Sequence, residues 1–151
     1  MITIYSDGSC RGNGREDSQG GFGVVILDEN ENLIKAYQHF ESNTTNNIQE
    51  LKAILWAMVN YGLEPETTVY SDSAYCVNTL TDWMYRWKAN GWIKRDGHIP
   101  ENLNLIKAYD ELESNGYKIN LKKVVGHSNN KWNDMADALA TGKIFVKDLN
   151  I

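Results

Sequence analysis

Two segments of alternating apolar and polar residues end in the same way, and this repeat limits the fold more than any other feature. The first covers residues 1–5 and runs into Ser6-Asp7-Gly8, and the second covers residues 67–70 and runs into Ser71-Asp72. Alternation with a period of two predicts β-strands. Alone, Asp7-Gly8 is more typical of a simple turn. Because two strands end in an acid, we expect both carboxylates at the edge of an α/β sheet where ligands usually bind.

The remaining patterns predict strands and helices in alternation. Residues 21–27 and 33–40 are β-rich and flank a charged turn, which favours a hairpin. Apolar residues repeat at helical spacing from Ile48 to Tyr61, behind several N-cap candidates at residues 44–47. This order predicts an α/β fold with a partly parallel sheet. Further elements are expected from Ser73 to Met84 (helix), from Glu101 or Asn102 to Ser114 (helix), over 117–125 (strand) and over 133–140 (helix).

Composition limits the class of protein. At 151 residues, 42% of them hydrophobic, the chain has the size and core of one domain, residues 1–151. It has no apolar run of about 18 residues and no signal-peptide pattern, so we expect a soluble, cytoplasmic protein with no membrane segment, and a monomer. Cys10 and Cys76 are too few for a disulfide framework. The net charge of -5 argues against a basic protein that coats nucleic acid, but not against an enzyme whose acids hold cations.

Four acids, Asp7, Glu50, Asp72 and Asp137, can converge at one end of this sheet. Glu50 is expected in the first turn of its helix, where the helix dipole favours a carboxylate, so an ordinary N-terminal Glu is the alternative interpretation. Packing of that helix on the first strand would instead bring Glu50 towards Asp7 and Asp72. Clustered carboxylates raise one another's pKa unless cations neutralise them. Oxygen ligands suit Mg²⁺ or Mn²⁺, and a pair of such ions supports in-line displacement at a phosphodiester.

Residues 83–95 combine three of the five tryptophans with four cations. Trp83 and Trp87 are four residues apart and share a helix face. Core packing would account for the tryptophans alone. Cations mixed with rigid aromatic side chains in an acidic chain are better explained by a surface that contacts a phosphate backbone. The candidate contacts are Trp83, Arg86, Trp87, Lys88 and Trp92.

Together, the acidic motifs resemble ribonuclease H type 1, in the right order and over nearly the whole chain. Each motif is weak alone, but four ordered acids and a Gly-His segment are improbable by chance. The matching motifs are Asp7-Gly8-Ser9-Cys10-x-Gly-Asn13, Thr45-Asn46-Asn47-x-x-Glu50-Leu51, Ser71-Asp72-Ser73-x-Tyr75, Val125-Gly126-His127 and Asn133-x-x-Ala136-Asp137-x-Leu139-Ala140.

The resemblance implies a ribonuclease H-like fold, a five-stranded mixed sheet with helices on both faces. It also implies endonucleolytic hydrolysis of the RNA strand in RNA/DNA hybrids with two Mg²⁺ ions, for which Mn²⁺ is a possible substitute. By resemblance, Asp7, Glu50, Asp72 and Asp137 are the catalytic metal ligands. His127 is similar to a family residue that moves protons or helps the product leave.

Substrate contacts also follow from the resemblance. Asn13, Asn46, Asn47, Glu50 and the backbone around Cys10 would line the minor groove, where the 2′-hydroxyl groups of RNA are sensed. Thr45 would contact a phosphate of the DNA strand. Residues 83–95 resemble the basic protrusion, or handle, that grips the DNA strand in some members of the family.

Three departures from the family pattern stand out. Residues Arg15 to Gln19 lengthen the first loop, Ala74 replaces a longer side chain that commonly reaches the minor groove, and residues 143–151 match no motif. These departures concern affinity and sequence tolerance rather than the type of reaction. Two alternatives stay open: a catalytically silent module that binds hybrids or duplexes, and another metal nuclease such as a resolvase or transposase core. The four acids disfavour the first, because without metal they repel phosphate.

Overall fold

A mixed five-stranded sheet organises the described part of the chain, residues 1–124 and 130–151 of this computed structural model. Its strands are β1 (Ile2–Arg11), β2 (Gln19–Leu27), β3 (Leu33–Ser42), β4 (Thr67–Ser71) and β5 (Asn120–Lys123). They lie in the order β3-β2-β1-β4-β5. The β1–β2 and β2–β3 pairs are antiparallel, whereas β4 runs parallel to both β1 and β5. The predicted mixed sheet is therefore confirmed.

Helices cover both faces of the sheet, as expected. The helices are α1 (Asn46–Tyr61), α2 (Ala74–Asn78), α3 (Met84–Ala89), α4 (Leu103–Ser114) and α5 (Lys131–Thr141). On one face, α1, α2 and α4 enclose the larger core around Ile4, Ile54 and Ile106. On the other face, α5 packs Ala136 and Leu139 against β2. Among the described residues, no helix is long and apolar enough to cross a lipid bilayer.

Strand β1 is longer than predicted. The sequence pattern ends the strand at Asp7-Gly8, but the structure continues it to Arg11, because β2 pairs with it as far as Arg11 opposite Gln19. The parallel pairing with β4 stops at Ser6 opposite Ser71. Asp7 therefore follows the end of the β1–β4 ladder while it remains inside the β1–β2 ladder.

Helix α1 begins at the N-cap Thr45, whose hydroxyl accepts a hydrogen bond from the Ile48 amide at 3.1 Å. This cap satisfies one of the amides that have no partner inside the helix. The helix starts at Asn46, and no acid lies in its first turn. The prediction that Glu50 occupies the first turn is therefore wrong, and the helix dipole does not account for that carboxylate.

The helix predicted after Ser73 contains a register change. Ser73 caps α2 through its side chain, and the chain then forms a π-helical turn at Thr79–Trp83 before α3 begins. The amide of Met84 bonds to the carbonyl of Thr79, five residues back. Single π-turns of this kind are rare and insert one extra residue into a helix.

The C-terminal tail packs on β3. Gln38 of β3 fixes the tail with its side chain: its amide nitrogen donates to the carbonyls of Leu139 and Ile144 at 3.0 and 3.2 Å. Its amide oxygen accepts from the Val146 amide at 2.8 Å. One half-buried side chain therefore ties the tail to both β3 and the end of α5.

Replacement of Gln38 by alanine is expected to loosen the tail, because three hydrogen bonds to backbone groups are lost at once. We expect a loss of about 1–3 kcal/mol in the free energy of unfolding, or roughly 2–4 °C in melting temperature for each kcal/mol. Thermal melting followed by circular dichroism measures the change. Gln19→Ala, at an exposed glutamine of β2, is the control, and equal melting of both variants would contradict this role.

Candidate active site

Strand register brings the first two acids together. Tyr5 pairs with Tyr70 across the parallel β1–β4 ladder, and their rings stack with centroids 5.1 Å apart. Alternate residues of a strand point to the same face, so Asp7 and Asp72, each two residues further on, extend from the end of this stack on the same face. The prediction from the repeated strand ends is confirmed, since carboxylate oxygens of Asp7 and Asp72 come within 4.8 Å.

Close approach of α1 to β1 brings in the third acid. A Cβ atom on Gly8 would overlap the Glu50 backbone nitrogen and lie 2.6 Å from the Gln49 carbonyl carbon. Only a residue without a side chain therefore allows the helix to lie this near the strand. Gly8 contributes no chemical group, yet it sets the position from which the Glu50 carboxylate reaches Asp7.

Helix α5 brings in the fourth acid by the same means. Gly23 lies opposite Asp7 in the β1–β2 ladder, and a Cβ atom there would overlap the Ala136 carbonyl oxygen of α5. This contact brings Asp137, the next residue, to the exposed rim of the site. Asp137 is near enough to raise the pKa of Asp7, although it lies outside the closest group of three carboxylates.

The three closest carboxylates form a cluster that makes no ion pair with a cation among residues 1–124 and 130–151. Asp7, Glu50 and Asp72 each place a carboxylate oxygen within 4.8 Å of the others. Burial, together with the charges of Glu50 and Asp72, raises the pKa of Asp7 far above its usual range. Burial and the charge of Asp72 also raise the pKa of Glu50.

The cluster is suited to a hard cation. Oxygen Oε2 of Glu50 is buried and has no hydrogen-bond partner among the described residues, a costly arrangement unless something else binds there. The donor set is made of carboxylate oxygens only, which favours ions such as Mg²⁺, Mn²⁺ or Ca²⁺ over zinc. A divalent cation would remove both the repulsion and the unsatisfied oxygen, so the residues fit such an ion.

Next to the acids, the predicted groove-reading residues gather at the N-terminus of α1. The Asn13 side chain accepts a hydrogen bond from the Asn46 amide at 2.7 Å. The Cys10 thiol contacts the Thr44 carbonyl at 3.4 Å. The Thr45 hydroxyl serves as the helix cap, and Asn47 is the next residue along α1 after Asn46. The structure therefore joins Cys10, Asn13 and the 45–47 segment into one surface.

Two residues that support this surface escaped the sequence analysis. The buried Ser18 hydroxyl donates to the Thr44 carbonyl and accepts from the Thr44 amide, at 3.0 and 2.8 Å, which ties the lengthened first loop to the start of α1. The buried Gln49 amide donates to Glu41 and to the Thr44 hydroxyl at 2.6 and 2.8 Å. Both are polar residues of ordinary appearance in the sequence, and only their burial reveals their roles.

The 83–95 segment forms a separate cleft of about 730 Å³, lined by none of the four acids. Trp83 and Trp87 lie side by side with ring centroids 6.3 Å apart, as their spacing predicted. Arg86 pairs with Asp82 and Lys88 with Asp110. The cleft lining is Trp83, Arg86, Trp87, Asn90, Ile93, Lys94, Arg95 and Asp96, whereas Trp92 packs against the core.

His127, predicted as a proton-moving or product-releasing residue, lies in the 125–129 segment, outside the described residues. The neighbouring helix α5 begins at Lys131, and its N-cap Asn130 accepts hydrogen bonds from the Trp132 and Asn133 amides. The role of His127 therefore stays a prediction.

Comparison with known proteins places this geometry in a family. The RNase H family model matches residues 1–145. The Ribonuclease H of Acetivibrio thermocellus is 40% identical over 144 residues, which cover 95% of this chain and 94% of that protein. The structure of LC9-RNase H1, a type 1 RNase H with the type 2 active-site motif, is 29% identical with a TM-score of 0.77 and covers 93% of this chain and 70% of that one.

A further similar fold is that of LC11-RNase H1, solved in complex with an RNA/DNA hybrid. It is 22% identical, has a TM-score of 0.69 and covers 98% of each chain. The family match over nearly the whole chain and the identity to the bacterial relative agree with the acidic cluster at the sheet edge. The chain belongs to the RNase H family.

Proposed function

We propose that this protein hydrolyses the RNA strand of RNA/DNA hybrids with the help of divalent cations held by Asp7, Glu50 and Asp72. One observation carries the proposal: these carboxylates approach within 4.8 Å of one another, and Glu50 contributes a buried oxygen that has no partner among the described residues. Membership of the RNase H family supports the reaction type. The hybrid-bound LC11-RNase H1, which shares the fold, supports the substrate.

Each acid has a role that its surroundings explain. When bound, divalent cations supply the Lewis acidity that activates a water and stabilises the leaving oxygen of an in-line phosphodiester displacement. Asp7 and Glu50 are only 5% and 8% exposed, so little water competes for their oxygens. Asp72 is half-buried and Asp137 lies on the exposed rim, which makes them the acids nearest to an incoming phosphate. Mg²⁺ is the proposed ion and Mn²⁺ a substitute, in keeping with the oxygen ligands.

We assign selection of the hybrid to the surface that Cys10, Asn13 and residues 45–47 form at the N-terminus of α1. Amide side chains offer both donors and acceptors, and Asn13, Asn46 and Asn47 gather beside the acidic cluster. This surface can therefore read 2′-hydroxyl groups in a shallow minor groove, with the Cys10 backbone at its edge. The Thr45 hydroxyl already accepts a bond from Ile48, and it retains its proton for a phosphate of the DNA strand.

We assign the second contact with substrate to the 83–95 cleft, where Lys94 and Arg95 line the same surface as the exposed Trp83 and the half-buried Trp87. Because Arg86 and Lys88 already pair with acids, we expect a modest grip on the DNA strand that weakens as salt rises. We further propose that residues 1–151 act as one ribonuclease H domain, in monomeric form and in the cytoplasm, with His127 assisting proton transfer or product release.

A single preparation incubated with end-labelled RNA/DNA hybrid, duplex DNA and duplex RNA tests this function. We expect cleavage of the RNA strand of the hybrid alone, in the presence of Mg²⁺ or Mn²⁺ and not in excess EDTA. Binding of the hybrid without cleavage in either metal would instead indicate a silent binding module. Cleavage of duplex DNA would indicate a nuclease of a different substrate class.

A further inference from the structure

A second cleft lies along the same strand that carries Asp7. Its volume is about 430 Å³, and its polar lining comes from Ser9 and Arg11 of β1, Gln19 of β2, and Thr141 and Lys143 at the end of α5. Side chains of a strand alternate between its faces, so Asp7, Ser9 and Arg11 share the face that α5 covers. We name this site the Arg11–Lys143 cleft.

The cleft is positively charged in an acidic protein. Among the described residues, the only charged ones that line it are Arg11 and Lys143, and both are exposed. Neither has a carboxylate within ion-pairing distance in the part of the chain that the structure describes, in contrast to Lys52, Arg86 and Lys88, which each pair with an acid. Two cations that converge without a counter-charge attract an anion.

The remaining lining and the position of the cleft specify the anion further. The Ser9 hydroxyl makes no hydrogen bond to any described residue, so its proton is available to an acceptor. A guanidinium offers two parallel N–H groups that match the oxygens of a phosphate. Arg11 is four residues beyond Asp7, a distance of about 13 Å along the strand. This distance spans a few nucleotides, since successive phosphates of one strand rise about 3.4 Å along the helix axis.

We propose that the Arg11–Lys143 cleft binds a backbone phosphate of the strand being cut, a few nucleotides from the scissile phosphate. This inference rests on the proposed function, because it supplies the same substrate with a second anchor. The anchor fixes the direction in which the RNA strand leaves the acidic cluster. It acts on binding rather than on chemistry, since neither cation reaches the reacting atoms.

Charge-removing variants test the anchor. Arg11→Gln and Lys143→Gln are each expected to raise KM for the hybrid roughly 3- to 10-fold at moderate salt, with kcat unchanged. The dependence of log(kcat/KM) on log[salt] should become shallower by about one in the double variant, because about one phosphate contact is lost. Lys118→Gln is the matched control, because Lys118 is exposed and adjoins Gly62 at the opposite end of the sheet. Equal melting temperatures verify folding.

The position of the phosphate is tested with hybrids that carry one neutral methylphosphonate, moved along either strand, with a 2′-deoxy sugar at that linkage as its own control. One position in the cut strand should raise KM for the unsubstituted protein and have no further effect in the double variant. Unchanged KM in both single variants, or coupling to the uncut strand instead, would overturn the inference. If the unsubstituted protein cleaves no hybrid at all, the proposed function fails, and the anchor fails with it.

Discussion

Asp7→Asn is expected to reduce cleavage of the RNA/DNA hybrid by about a thousandfold or more, equivalent to roughly 4 kcal/mol of transition-state stabilisation. Asp7 lies between Glu50 and Asp72 at the end of the β1–β4 ladder, so all of the clustered charges converge on it. An amide keeps the shape of the side chain but loses the charge that holds a cation. Single-turnover cleavage in saturating Mg²⁺ measures the change, and near-normal cleavage would refute the metal site.

The same variant should be more stable than the original protein when metal is absent. The pKa of Asp7 is raised in the folded state, so the native protein binds more protons than the unfolded chain and its stability falls as pH rises above about 4. Asn cannot ionise and escapes this penalty. In EDTA near pH 7 we therefore expect Asp7→Asn to gain about 1 kcal/mol or more, or roughly 2–4 °C for each kcal/mol.

Melting curves in EDTA near pH 7, in EDTA at lower pH and in Mg²⁺ distinguish relief of repulsion within the acidic cluster from the general effect of removing one charge. The gain should shrink as the pH falls below about 4, where the carboxyl group becomes protonated in the unfolded chain as well as in the folded protein. Added Mg²⁺ should raise the melting temperature of the original protein but not that of Asp7→Asn, because only the folded site binds the ion. Glu29→Gln, in the exposed turn between β2 and β3, provides the control. A variant that is less stable than the original in EDTA would contradict the assignment of repulsion to this cluster.

Gly8→Ala is expected to have the second-largest effect, although it removes no functional group. A Cβ atom there would overlap the Glu50 nitrogen and lie 2.9 Å from the Glu50 Cα, and backbone atoms yield only if α1 moves. Displacement of α1 shifts both the Glu50 carboxylate and the asparagines at its N-terminus. We expect a loss of about 1–3 kcal/mol in stability from overpacking and of roughly 100-fold in cleavage, the typical cost of a misplacement of about 1 Å.

Gly116→Ala separates displacement from general destabilisation. Gly116 has a φ of +90° and open space around its Cβ position, so alanine there costs backbone strain alone. It follows α4, away from the acids, and should lower the melting temperature while cleavage stays normal. Cleavage and melting temperature are therefore measured for both variants in parallel. Normal cleavage by Gly8→Ala would show that α1 does not need this close approach.

The sequence predicted those parts of the site that depend on local residue patterns. The strands that end in Asp7 and Asp72 alternate clearly, and the apolar repeat of α1 marks a helix that packs on them. Glu50 and Asp137 followed from the helices expected to flank those strands, and the resemblance then implied that all four acids are metal ligands. All four acids could be named because short motifs surround each one, even though more than 60 residues separate Asp7 from Asp72.

Features that depend on long-range contacts were not predictable from the same patterns. The extension of β1 to Arg11 needs β2 as a partner, and the alternation of β1 itself stops at the glycine. The first three residues of the strand predicted over 117–125 form a loop, because the Tyr117 amide bonds back to Leu112 at the end of α4, and Val125 lies outside the described residues. Burial of Ser18 arises only when the first loop folds against the start of α1. The partners that extend β1 and bury Ser18 are distant in the sequence, whereas the loop at 117–119 follows from a contact within five residues.

Because of the π-helical turn at Thr79–Trp83, the orientation of the 83–95 cleft depends on the number of residues between Ser73 and Trp83. One residue of an α-helix corresponds to about 100° of rotation. Loss of the extra residue would therefore rotate Trp83 and Trp87 by about a quarter-turn around the helix axis and change the direction in which they face relative to the acidic cluster. Length variation is therefore acceptable in the loop after α3 but not between Ser73 and Trp83. This short stretch therefore fixes the orientation of the 83–95 cleft relative to the rest of the fold.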